Sequence, residues 1–278
     1  MVNPLNKYFR QPVIYMELPS QGRWWRPGSI NMPADRRIPV CPMTARDEIL
    51  LRTPDALLNG ITVKEVIESC CNVITDAWAV PNIDVDALLI GIRIASYGNM
   101  LDVDSTCPHC GTSNRHGVDL GDRLGKIRSP DFDFTLQHDQ LLFRFKPMQY
   151  FAVNREDSLR YHEDRLLKVV NDSNLSEEDK IKEMTKHARK MLDSSMKALA
   201  LQTEFIQLQD GTKVIEYEYI IEFYNNIEGD VIKKVQAHLI EMYNRVKVPD
   251  IRAVCEECQK NYEYPIEFDF SSFFGRGF

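Results

Sequence analysis

The chain has no long uninterrupted apolar run. Its most apolar stretch, VDALLIGIRIASYG, is broken by Arg93 and is too short to cross a bilayer. The opening residues, MVNPLNKYFRQPVIYMELPS, lack the basic start and continuous apolar segment of a secretory leader. The expectation is a chain made in a reducing cytoplasm, with no membrane span. An excess of positive charge is also missing. Lys and Arg total 34 against 41 Asp and Glu, a net charge of −7 that gives no general pull toward nucleic acid or anionic lipid. Catalytic signatures are absent: no His-Glu-x-x-His, no Gly-x-Ser-x-Gly, no Walker or dinucleotide glycine loop, and no His-x-Glu with Pro-Cys-x-x-Cys. The six histidines are scattered, and His162, His187 and His238 fall in polar helical stretches that read as solvated. The sequence therefore points away from an enzyme and from a small-molecule substrate. Internal repeats, heptad runs and low-complexity tracts are missing as well.

What is present is enough apolar residue, 44% of 278, to bury a core in one large domain or two modest ones. The fold class reads as α+β and mainly helical. Residues 1–100 form a β lead-in, with short strands in VIYMELPSQGRWW and RRIPVCPM, followed by a helical domain. Thr44 with Asp47 predicts one helix start, Thr62 with Glu65 a capping box for VKEVIESCCNVI, and Asp84 the cap of a third helix that Gly98 stops. Residues 101–146 and 246–278 read as one β module, interrupted by a helical insertion over 147–245. Within the insertion Ser176 and Asp179 mark a helix start, and Asp210-Gly211 marks a hairpin turn.

The seven cysteines are odd in number and Cys70 adjoins Cys71, a poor disulfide framework. Four of them form two Cys-x-x-Cys pairs, CPHCG at Cys107 and Cys110 and CEECQ at Cys255 and Cys258. That spacing suits a metal, because a tight turn brings two sulfurs within about 4 Å, as tetrahedral Zn²⁺ requires. Gly111 can take the left-handed backbone that points main-chain N–H groups at the thiolates, whereas Gln259 makes the second turn less typical. His109 reads as a solvated residue of the turn rather than a ligand. The two pairs are far apart in sequence. Closing a loop of about 144 residues rather than about 18 costs roughly 1.8 kcal/mol more, set against about 10–16 kcal/mol for a structural zinc site. A split, zinc-ribbon-like module holding one structural Zn²⁺ is thus feasible. Redox chemistry is the weaker reading, since no helix N-terminus adjoins either pair. Cys41, Cys70 and Cys71 read as small buried residues.

Two segments look like protein contacts. GRWWRPG sets Trp24 and Trp25 between arginines on a turn, and both residue types are favoured interface anchors. The ending FDFSSFFGRGF carries Phe270, Phe273, Phe274 and Phe278, and these either pack on the chain's own ribbon or insert into a neighbour. A nucleic-acid-binding zinc ribbon is the alternative function, but CEECQKNYEYPIEFDF is net acidic, which opposes it.

In order, MELPSQGRWW, PVCPMTARDEILLRTPDALLNGITVKEVIESC, DVDALLIGIRIASYGN, CPHCG, CEEC and FDFSSFF resemble the baseplate hub and hub-assembly proteins of T4-like tailed bacteriophages. The resemblance implies a non-enzymatic role in building a contractile-tail baseplate, as hub subunit or hub-assembly chaperone. The implied partners are other phage tail and baseplate proteins. The implied location is the virion tail baseplate, or the host cytoplasm during assembly.

Overall fold

A computed structural model describes residues 3–51, 60–127, 129, 135–171, 175–265 and 273–274. It divides into a first unit, residues 1–129 with 246–278, and a second, residues 130–245.

In the first unit, Ile14–Met16 (β1) and Ile38–Val40 (β2) pair antiparallel, with Ile14 opposite Val40. Among the described residues, helices follow at Ala45–Leu51 (α1), Ile61–Cys70 (α2) and Asn82–Tyr97 (α3). Helix α3 is apolar on nearly every side, and Leu88, Ile90 and Ile92 are fully buried in it, as all-round hydrophobicity demands. The β1–β2 hairpin seats on α3 at Gly91, where an added Cβ would lie 2.5 Å from the Met16 sulfur. Gly98 ends the helix as expected, at φ +85°, its N–H donating to Ile94 O at 2.9 Å. Arg93, the charge that breaks the apolar run, is buried. Its Nε donates to Phe273 O (2.9 Å), and its terminal nitrogens donate to Gly98 O and Met100 O. One guanidinium thus satisfies three carbonyls and ties the aromatic ending to the central helix.

Thr44 and Asp47 form the expected reciprocal cap of α1: Asp47 Oδ2 accepts from Thr44 N (2.7 Å), and Thr44 Oγ1 accepts from Asp47 N (3.3 Å). Two other expected caps are corrected. Helix α2 starts at Ile61 after a left-handed Gly60, so Thr62 lies inside it, buried along the face shared with Val63 and Val66. Helix α3 starts at Asn82 behind Pro81, which places Asp84 in the first turn. Its carboxylate is fully buried, accepting from Ser20 N (2.7 Å), Ser20 Oγ (2.5 Å) and Trp25 Nε1 (3.0 Å). Asp84 therefore anchors the tryptophan turn instead of capping a helix.

Also in the first unit, Met100–Thr106 (β3) pairs with Ser113–Asp119 (β4), which runs into Leu120–Lys126 (α4), capped by Asp119.

The second unit holds an antiparallel sheet of Leu136–His138 (β5), Leu141–Phe145 (β6), Thr203–Gln207 (β7) and Lys213–Val214 (β8), in that order. Strands β5 and β6, residues 136–145, thus join β7 in the sheet of this unit, β5 pairing with β6 and β6 with β7, rather than joining the cysteine hairpins. The β7–β8 turn is the expected one, with Gly211 at φ +85°. Tyr150–Asn171 (α5) and Glu177–Gln202 (α6) lie between β6 and β7, and Ser176 caps α6 as expected. Tyr217–Asn226 (α7) and Gly229–Val246 (α8) follow. Phe143, Phe145, Ile206, Ile220 and Val235 form the core, and Tyr224 bonds to Thr203 through their hydroxyls at 2.8 Å.

His187 and His238 are buried, against the expectation of solvated histidines. His187 Nδ1 is bonded to the buried Glu163, which also meets Lys190 at 3.2 Å, and the His238 ring packs on Phe145.

Back in the first unit, Ile251–Val254 (β9) and Asn261–Tyr264 (β10) form the second cysteine hairpin.

Candidate metal centre

Each cysteine pair sits in the turn of a two-stranded antiparallel hairpin, and the two turns repeat one backbone plan. Cys107 N donates to Thr112 O (2.9 Å), and Gly111 N donates to Cys107 O (2.9 Å). In the second hairpin Cys255 N donates to Lys260 O (3.0 Å), and Gln259 N donates to Cys255 O (3.0 Å). The residue after the second cysteine is left-handed in both, Gly111 at φ +76° and Gln259 at φ +57°. Gln259 takes the conformation that glycine takes more readily, with its side-chain amide bonded to Glu256 O at 2.7 Å. The sequence marked this turn as atypical, yet its geometry matches the first.

The topology brings the two turns together. The four sulfurs lie within 4.8 Å of one another, with Cys107 to Cys258 at 3.7 Å and Cys110 to Cys255 at 3.5 Å. Four sulfurs at about 2.3 Å from a tetrahedral Zn²⁺ stand about 3.8 Å apart, so the donor set and its spacing fit such an ion. All four are free thiols, Cys107 and Cys255 buried and Cys110 exposed. The Thr112 hydroxyl and backbone draw the Cys110 thiol down to about 6. Backbone N–H groups of Cys258 and Glu257 lower Cys255. Cys258 moves up to about 11: the Lys260 N–H opposes the rise, and burial with the three neighbouring sulfurs drives it. The Cys110 sulfur thus favours the thiolate while Cys258 retains its proton, and a bound divalent cation would displace that proton. A site closed by four cysteines leaves no coordination position for water, so it supports folding rather than hydrolysis.

Around the sulfurs, Cys107, Ala253, Cys255 and Tyr262 form a small core. His109 is exposed, with Nε2 3.3 Å from Asn261 O, and is not among the clustered donors. Two residues that the sequence reading did not single out, Asn114 and Tyr262, cross between the hairpins. Each stands four positions past the second cysteine of its pair, a signal visible in sequence only once the two turns are aligned.

The other expected site residues divide by position. Trp25 is held inward by Asp84, while Trp24 is left-handed at φ +63° with the Arg23 guanidinium 4.8 Å over its ring. Phe273 and Phe274 are buried in the chain's own first unit, edge to face with ring centroids 4.9 Å apart. Phe270 and Phe278 lie outside the described residues. Cys41, Cys70 and Cys71 are buried, and burial pushes the Cys70 thiol up to about 12, an unreactive state. Among the described residues no helix is long and apolar enough to cross a membrane.

Compared with known proteins, the chain matches a family model described as T4 bacteriophage base plate protein over residues 17–275. No curated protein and no solved structure matches it.

Proposed function

The chain belongs to the T4 bacteriophage base plate protein family, and on that premise we propose that it is a structural or chaperone-like assembly component of a contractile phage tail, acting through protein–protein contacts and folded around a structural zinc ion. The observation that carries the zinc half of this reading is the four-sulfur cluster of Cys107, Cys110, Cys255 and Cys258. These ligands belong to segments near the middle and the end of the chain, so a shared ion fastens the first unit across that distance. The protein works as a rigid scaffold and not as an enzyme. It meets other tail and baseplate proteins, at the virion baseplate as a subunit or in the host cytoplasm during assembly as a chaperone-like factor. Trp24 with Arg23 is the contact we favour: Trp25 and Asp84 fix the turn, and the Trp24–Arg23 pair stands on it. Phe270 and Phe278 are retained as further contacts.

The test is a phage carrying Cys107→Ser and Cys255→Ser together. Electron microscopy of lysates should show incomplete baseplates, with loss of infectious particles. Normal tails at normal yield would overturn the reading. Mass spectrometry of purified wild-type particles separates the two roles, since a subunit is retained and an assembly factor is absent. A steep, salt-dependent gel shift with the isolated protein would instead favour the nucleic-acid-binding alternative.

A further inference from the structure

The two cysteine turns share a backbone plan, so equivalent positions can be compared directly. Four residues past the second cysteine stand Asn114 and Tyr262. Both are buried, and both reach across to the opposite hairpin. Asn114 Nδ2 donates to Thr112 O in its own turn (3.0 Å) and to the Cys255 sulfur in the other (3.7 Å). Its Oδ1 accepts from Glu256 N at 2.9 Å. That last bond fixes the amide orientation, because a flipped side chain would set NH₂ against N–H. Tyr262 makes the reverse crossing: its hydroxyl lies 2.7 Å from Ser105 Oγ and 2.9 Å from His116 Nε2, both on the first hairpin. Its ring also packs beside His116, with centroids 6.1 Å apart.

The two crossings differ in one respect. Asn114 touches a sulfur and the backbone of the metal turn, whereas the Tyr262 hydroxyl, among the described residues, bonds to Ser105 and His116 along the strands. We propose that Asn114 is the positioning residue of the metal centre, holding the Cys255 sulfur and its turn in register with the first pair, while Tyr262 docks the strands. This inference rests on the zinc reading given above. Groups that orient metal ligands are commonly worth about 10–100-fold in metal affinity. An N–H bonded to a thiolate also withdraws charge from the sulfur, so its loss changes the ligand field as well as the affinity.

The experiment uses the full-length protein. Zn²⁺ affinity is measured by competition with a chromophoric chelator, and Co²⁺-substituted protein is read by its visible absorption. Asn114→Ala and the near-isosteric Asn114→Asp should both weaken Zn²⁺ binding about 10–100-fold and shift the cobalt bands. Tyr262→Phe, which keeps the ring and removes both hydroxyl contacts, should leave affinity and cobalt spectrum close to wild type. Wild-type affinity with unshifted bands in both Asn114 variants would overturn the proposal. So would a Tyr262→Phe variant that behaves as they do, because the effect would then be general docking. Failure of the zinc reading itself looks different: the wild-type protein would bind neither ion.

Discussion

The first unit and the α5–α6 pair are fastened in opposite ways. In the first unit the fastenings join residues far apart in sequence. Arg93 reaches Phe273, Asp84 reaches Ser20 and Trp25, and the sulfurs of 107 and 110 meet those of 255 and 258. Helix α3 buries most of its length, and the two charges buried with it, Asp84 and Arg93, are supplied with partners. Helix α5 is longer, at 22 residues, yet the single residue it buries is Glu163. Its tie to α6 centres on Glu163, His187 and Lys190, two helices joined in succession along the chain. Leu166, Val169, Ile181 and Leu192 stay exposed along the same two helices. An internal ion cluster contributes less net stability than an apolar seam, because desolvation offsets much of the attraction. Long-range fastening in one region and short-range fastening in the other should therefore give different responses to metal, mutation and acid.

The largest expected effect comes from removing a ligand. Cys107→Ser or Cys255→Ser should release the ion and unfold the ribbon hairpins, a site of the kind that contributes about 10–16 kcal/mol. Hydrogen exchange should rise over residues 100–119 and 251–264 while protection over α5 and α6 persists. Equal loss in both regions would break the contrast. Next, Leu88→Ala in α3 should cost about 2–5 kcal/mol in denaturant unfolding. Leu166→Ala in α5, at a site 44% exposed, should cost less than about 0.5 kcal/mol.

Acid should act on the second region first. Hydrogen bonds from His187 and then Lys190 hold the Glu163 carboxyl below its usual range. A lowered folded value gives stability that is complete above the unfolded value, about 4.3, and is lost as pH falls through the folded one. Helical circular dichroism should therefore fall at low pH, and Glu163→Gln should lose that dependence and lower the melting temperature at neutral pH. Asp84 has the opposite sign. Burial raises it to about 7, only partly opposed by its bonds from Ser20 and Trp25. Its contribution to stability declines as pH rises from about 4 to about 7. Tryptophan fluorescence should follow that titration in the wild type and not in Asp84→Asn. The smallest effect concerns the two turns. Gln259→Gly should be neutral or stabilising by up to about 1 kcal/mol, because it relieves a left-handed non-glycine residue, whereas Gly111→Ala should destabilise.

The features readable from sequence were the short-range ones. Thr44 with Asp47, Ser176 with Asp179, Gly98 and the Asp210-Gly211 turn each act within a few residues, so their local chemistry decides the outcome. The Cys-x-x-Cys pairs were readable for the same reason, and their joining followed from the count of sulfurs a metal needs. Asp84, Thr62 and His187 depart from their local patterns because burial by distant segments sets their roles: Asp84 has the composition of a cap, but Ser20 and Trp25 use its oxygens. Gln259 is atypical in sequence because glycine prefers that backbone, but the surrounding turn imposes it. Asn114 and Tyr262 make contacts across the junction of the two hairpins, and their matching positions carry meaning once those hairpins are superposed.

The central claim is that four sulfurs from two distant hairpins grip one ion. Elemental analysis of the folded, purified protein tests it directly. The account predicts close to one zinc per chain, removed by chelator together with the protection of both cysteine hairpins. A well-folded protein carrying no metal, with those hairpins protected all the same, would contradict it.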